Sequence, residues 1–108
     1  MPLVTFQQID HLGEIVIDSP PQNLFSGALL TDLRTAVDAA ASSTVRALVL
    51  RAEGADFSAG ADATVFTSID EDQAPQLEAT VVGLIHSIED LPVPTVALIH
   101  GQCYAGAL

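Results

Sequence analysis

Two short stretches share a pattern of small residues, Ser58-Ala59-Gly60-Ala61-Asp62 and Tyr104-Ala105-Gly106-Ala107-Leu108. Each follows an apolar run of strand length. Small side chains after parallel strands let the backbone approach a ligand, and amide hydrogens there can converge in the crevice at the strands' carboxyl ends. Two such loops side by side would offer two donors to an oxygen gaining negative charge, which is the chemistry of an oxyanion hole. Spacing alone is met more simply by two tight turns, so the pattern by itself does not decide between turn and site.

The other reactive side chains carry less. His11, His86 and His100 are scattered, and His86 sits beside the apolar stripe of a helix, so a structural or surface place is the simpler reading of each. Ser58 lacks a Gly-x-Ser-x-Gly elbow, and Cys103 lacks a neighbouring base and reads as a small buried hydrophobe. Asp70-Glu71-Asp72 reads as the complement of a helix N-terminus rather than a metal site. The chain contains no lysine, which excludes a phosphate-gripping or Schiff-base lysine within it. A net charge of −11 argues against nucleic acid and anionic membranes as partners. The N-terminus has no charged and apolar leader pattern, and no apolar run reaches the roughly eighteen residues of a membrane span. A single cysteine closes no internal disulfide, so the expected location is the cytoplasm.

The positioning elements follow from periodicity. Leu3 to Asp10 and Gly13 to Asp18 read as two strands joined around His11-Leu12-Gly13, and Ser19-Pro20-Pro21-Gln22-Asn23 breaks the pattern into a loop. Ser26 is placed to cap a helix whose stripe is Leu29, Leu30, Leu33, Ala36, Val37 and Ala40. Val45 to Ala52 predicts a parallel strand covered on both faces. A second stripe of Leu77, Val81, Leu84, Ile85, Ile88 and Leu91 predicts a helix with Pro75 near its first turn. Pro92 and Pro94 end it, and Thr95 to Ile99 predicts another buried strand. With 49% hydrophobic residues in 108, one domain with an apolar core is expected, of α/β class with parallel pairings. Its last loop directly follows a strand where a helix would normally begin. Residues 1–108 are therefore expected to be an incomplete domain that stops at the second small-residue loop.

Four segments resemble one family. Asp56-Phe57-Ser58-Ala59-Gly60-Ala61-Asp62 is similar to the Phe-Ser/Ala-Ala-Gly-Ala-Asp signature of the enoyl-CoA hydratase/isomerase (crotonase) family. Ser19 to Ser26 resembles that family's Pro-Pro-x-Asn loop, Val45 to Leu50 the strand before the signature, and Pro92 to Gly101 its Lys-Pro-x-x-Ala strand, though without the lysine. The resemblance covers nearly the whole chain, and it implies the N-terminal portion of a crotonase-like spiral of ββα units.

It also implies roles. Ala61 and Gly106 match the two positions whose backbone amides form the oxyanion hole, where a thioester oxygen is held as it becomes an enolate. Ala59 matches the residue whose carbonyl meets the adenine of coenzyme A, and Gln22 and Leu24 match loop positions on the CoA side. Asp62 and Ala63 complete the stretch lining the substrate, with Asp62 better suited to capping the next turn than to acting as a base. The expected partner is an acyl-CoA thioester, coenzyme A entering as part of the substrate with no separate cofactor or metal, and the complete protein is expected to be a homo-trimer or hexamer. Where family members often carry Arg or Lys, Ser19, Pro21 and Gln22 are uncharged, Ala63 replaces a commoner Leu or Ile, and Ala105 and Ala107 stand where glycines are usual. The family's acid–base glutamates fall after Leu108, so residues 1–108 alone are expected to polarise a thioester without turning it over. The alternative is a non-catalytic remnant acting only through association with another subunit.

Overall fold

The computed structural model describes residues 2–60 and 74–103. Their elements run β1 (Val4–Ile9), β2 (Leu12–Ile17), α1 (Gly27–Ala41), β3 (Ala47–Ala52), α2 (Ala74–Glu89) and β4 (Thr95–Ala97). The four strands form one sheet in the order β1-β2-β3-β4. β1 and β2 are an antiparallel hairpin from Val4 opposite Ile17 to Ile9 opposite Leu12, with Asp10 at φ 54° in its tight turn. β2 pairs parallel with β3, and β3 with β4. This is the expected element order, and the parallel half follows from it, because each helix returns the chain to start the next strand in the same direction.

The core lies between one face of the sheet and α1. In register, Val4 and Phe6 of β1, Ile15 and Ile17 of β2, and Leu48 and Ala52 of β3 share that face. Every residue of the expected α1 stripe is buried there, Leu29, Leu30, Leu33, Ala36, Val37 and Ala40. The helix begins where the sequence places it, since Ser26 is extended and its side chain accepts the Leu29 N–H. Asp32 on α1 accepts the Leu3 N–H at 2.7 Å, which pins the start of β1 to the helix. α2 adds Leu84 to the core, with Val81, Ile88 and Leu91 packed at its edge. No described helix is long and apolar enough to cross a membrane.

Three expectations change. Thr95 to Ile99 is not a buried strand: β4 has three residues, all exposed, and Val96, Leu98 and Ile99 are 52%, 51% and 56% accessible. The reason is position, since β4 pairs with β3 on one side only and no described element lies over its outer face. β3 is likewise covered on one face, with Leu48 and Ala52 buried and the residues between them partly open. Ile85, assigned to the second stripe, is exposed, because α2 meets the core through Leu84 and Val81 instead.

Leu29 has no accessible surface. Leu29→Ala is therefore expected to lower unfolding free energy by about 2–5 kcal/mol, against about 1 kcal/mol for Ser26→Ala. Urea denaturation of both variants checks the ranking.

Candidate functional site

Parallel pairing puts the carboxyl ends of β2, β3 and β4 along one edge of the sheet, and three loops meet there. Residues 18–25 leave β2, residues 53–60 leave β3 and residues 98–103 follow β4. Crevices outside the carboxyl ends of parallel strands are the usual ligand position in such sheets.

The first two loops are joined by Asn23, which is fully buried. Its side-chain Nδ2 donates to the carbonyls of Glu53 and Asp56, both at 2.9 Å, and its Oδ1 accepts the Ser19 N–H at 2.7 Å. Every hydrogen-bonding hydrogen of the amide is used, on partners up to 33 residues away. The residue sits at φ 49°, in the left-handed region that asparagine tolerates better than most side chains. On either side of it the loops close like a short zipper. Ala59 N–H donates to the Gln22 carbonyl at 3.0 Å, and Phe25 N–H to the Gly60 carbonyl at 2.8 Å. A cis bond joins Pro20 to Pro21 at the head of this loop.

The second and third loops are joined by backbone. Phe57 N–H donates to the His100 carbonyl and Ser58 N–H to the Gln102 carbonyl, and Ser58 forms a parallel bridge with Cys103. His100 Nε2 donates to the Gly54 carbonyl at 2.7 Å, and Asp56 Oδ1 accepts the Gln102 N–H at 2.9 Å. Gly101 is required here on two counts. Its φ is +60°, and a Cβ would run into the Ala55 carbonyl oxygen and come within 2.7 Å of Asp56 Oδ1.

The structure thus brings together Gln22, Leu24 and Ala59. Gln22 is exposed, while Leu24 and Ala59 are half-buried at the seam between their loops. Ala61, Asp62, Ala63 and Gly106 lie outside the described residues, as does the acidic run Asp70-Glu71-Asp72. Ser58 is fully buried, and its hydroxyl donates to the Asn23 carbonyl, so it is not poised as a nucleophile. Sequence reading placed Asn23 in the loop without giving it a role. Its signal was the residue type itself, a short carboxamide able to donate twice and to accept and tolerant of the left-handed backbone region.

Arg51, the cation at the end of β3, is engaged by carboxylates, its Nη1 on Glu53 at 2.5 Å and its Nη2 on Glu14 at 3.1 Å. Among the described residues, none of the charged side chains of the three loops is basic apart from His100. A cleft of about 30 Å³ between Ala40, Val45, Leu48, Leu91 and Val93 lies at the opposite end of β3, far below the size of a small-molecule site.

The model of the enoyl-CoA hydratase/isomerase family matches residues 8–108. The chain belongs to that family. A Bacillus subtilis relative described as "Probable enoyl-CoA hydratase" is 35% identical over 96 residues, covering 87% of this chain and 37% of its own. The cyclohexa-1,5-dienecarbonyl-CoA hydratase of Thauera aromatica is 34% identical over 93 residues, covering 82% of this chain and 34% of its own. A solved crotonase-family structure from Legionella pneumophila superposes with a TM-score of 0.91 at 28% identity, over 99% of this chain and 43% of that one. The chain therefore has the crotonase fold, and it spans about a third of the length of these two curated relatives.

Two predictions follow from the loop seam. Asn23→Ala leaves the Glu53 and Asp56 carbonyls without their donor and is expected to cost about 3 kcal/mol. Asn23→Gly loses the same bonds but not the backbone tolerance, and should recover roughly 1 kcal/mol of that in denaturant titrations. At the surface, hydrogen bonds from Arg51 and then Gln7 hold the Glu14 carboxyl below its ordinary value of 4.5. Its contribution is full above that value and is lost as pH falls through the lower folded one. The stability gap between the wild type and Glu14→Gln, under about 1 kcal/mol for such a half-open pair, should close in acid melts.

Proposed function

We propose that residues 1–108 form the front part of an acyl-CoA site in an enoyl-CoA hydratase or isomerase. In this reading the backbone amides of Ala61 and Gly106 hold the thioester oxygen as the adjacent carbon gains or loses a proton. The observation that carries it is the pairing of the segments that lead into the two small-residue stretches, Ser58 N–H on the Gln102 carbonyl and the Ser58–Cys103 bridge. Residues 53–60 and 98–103 leave the same sheet edge side by side, which supports two converging donors in the residues that follow. Family membership and the described hydratase relatives support the substrate class.

Coenzyme A belongs to the substrate in this proposal. Gln22, Leu24 and Ala59 are assigned to the coenzyme A side of the site, and Asp62 and Ala63 are assigned with them to the stretch that binds the acyl-CoA. Arg51 is held by Glu14 and Glu53, so the CoA phosphates would find their cations on other parts of the protein. In this proposal the proton transfers are made by carboxylates other than those of the described residues, and turnover depends on them as much as on the oxyanion hole.

The test uses the intact protein and an α,β-unsaturated acyl-CoA, followed by loss of the conjugated thioester absorbance and by calorimetric titration. Turnover is expected, and Ala61→Pro, which deletes one amide hydrogen, should lower kcat about 10²- to 10³-fold. Tight binding without turnover would favour the non-catalytic remnant instead. Failure to bind any acyl-CoA would overturn both.

A further inference from the structure

We propose that Asp18 and Glu53 are specificity determinants that set the functional edge against the phosphorylated nucleotide of coenzyme A and in favour of its pantetheine arm, an inference that rests on the acyl-CoA reading above. The two carboxylates open the two loops assigned to the coenzyme A side. Ile17 and Ala52 are partners across β2 and β3, and the Glu53 N–H donates to the Ile17 carbonyl at 2.8 Å, so the residue that follows each strand leaves the sheet beside the other. Both Asp18 and Glu53 are exposed. Asn23 ties them to the loop that carries Gln22 and Leu24, since its side chain accepts the Ser19 N–H and donates to the Glu53 carbonyl. Asp56 adds a third, half-buried carboxylate, one oxygen of which accepts the Gln102 N–H.

The arginines of the chain are committed elsewhere. Arg51, at the end of β3, is shared by Glu14 at 3.1 Å and Glu53 at 2.5 Å, and two carboxylates on one guanidinium leave a net negative charge. Arg34 lies between the helices, with Nη1 on Ser87 Oγ at 2.6 Å, and Arg46 precedes β3 at the opposite end of the strand. The chain has no lysine. His100 is the one basic side chain described in the three loops, and its Nε2 donates to the Gly54 carbonyl. Coenzyme A carries a diphosphate and a ribose phosphate on its nucleotide and no charge on its pantetheine arm. Like charges near a protein surface repel in dilute salt and are screened in concentrated salt. Asp18 and Glu53 therefore oppose the nucleotide end and leave the pantetheine arm and the acyl group unaffected. Whatever cations other parts of the protein bring to the phosphates, these two carboxylates subtract from them.

The experiment measures kcat/KM of the intact protein for an α,β-unsaturated acyl-CoA and for the same acyl group on pantetheine, and follows the ratio of the two. A change in folding or at the reacting centre moves both values together and cancels in the ratio. At about 10 mM salt, Asp18→Asn and Glu53→Gln are each expected to shift the ratio roughly 2- to 5-fold toward acyl-CoA, and in about 0.5 M salt the gain should vanish. The double variant should show about the product of the two. Glu89→Gln removes an equally negative, exposed carboxylate from the far end of α2 and should leave the ratio where it was. Should Glu53→Gln not fold once Arg51 is released, Asp18→Asn decides alone. The proposal is overturned if the ratio stays at its wild-type value in dilute salt, if the gain survives in concentrated salt, or if Glu89→Gln matches it. A wild-type protein that neither binds nor turns over either thioester would instead sink the acyl-CoA reading, and this inference with it.

Discussion

One buried carboxamide holds the functional edge of this sheet in shape. Parallel strands release their chains as three separate loops, and nothing in strand pairing dictates how those loops lie against each other. Asn23 supplies that constraint with two donors and one acceptor spent on three different backbone groups. The loop after β2 and the loop after β3 become one surface, and the 98–103 segment is laid onto it through Phe57, Ser58 and Asp56. Because the amide is inaccessible to water, each of these bonds forms where an unmade partner would be costly, which makes the arrangement all or nothing.

The local parts of this design were readable in the sequence. The α1 stripe and its Ser26 cap follow from a 3.6-residue period and a hydroxyl in the right place, and the hairpin and the parallel strands follow from apolar runs between turn signals. What was not readable is what covers a given face. Thr95 to Ile99 is apolar enough for a core strand, yet half of each large side chain is open, because apolar pattern reports what a strand prefers and not which neighbour is present. The bonds of Asn23 were equally hidden, since they join residues 30 and 33 apart and depend on two loops arriving at one place. The motif resemblance singled out the segments after β2, β3 and β4, and the hydrogen bonds of Asn23, Phe57 and Ser58 give the reason their described parts are adjacent.

Membership of the enoyl-CoA hydratase/isomerase family narrows the chemistry without selecting it. One scaffold of backbone donors serves any reaction that passes through an enolate, and the choice among hydration, double-bond migration and hydrolysis is made by the proton-handling groups placed around it. The described part of this chain contributes framework. Several of its charged groups are spent on each other, as with Arg51 between Glu14 and Glu53, or on backbone, as with Asp56 and Asp32.

The seam between the 19–25 and 53–60 loops is made of amides, carbonyls, one carboxamide and one hydroxyl, and it contains no group that gains or loses a proton in ordinary aqueous conditions. Such a joint keeps the same geometry in acidic and alkaline media, and it offers no thiol to an oxidant. A frame of this kind is silent in a titration, so any pH-dependent change near this edge of the sheet would belong to groups outside the seam.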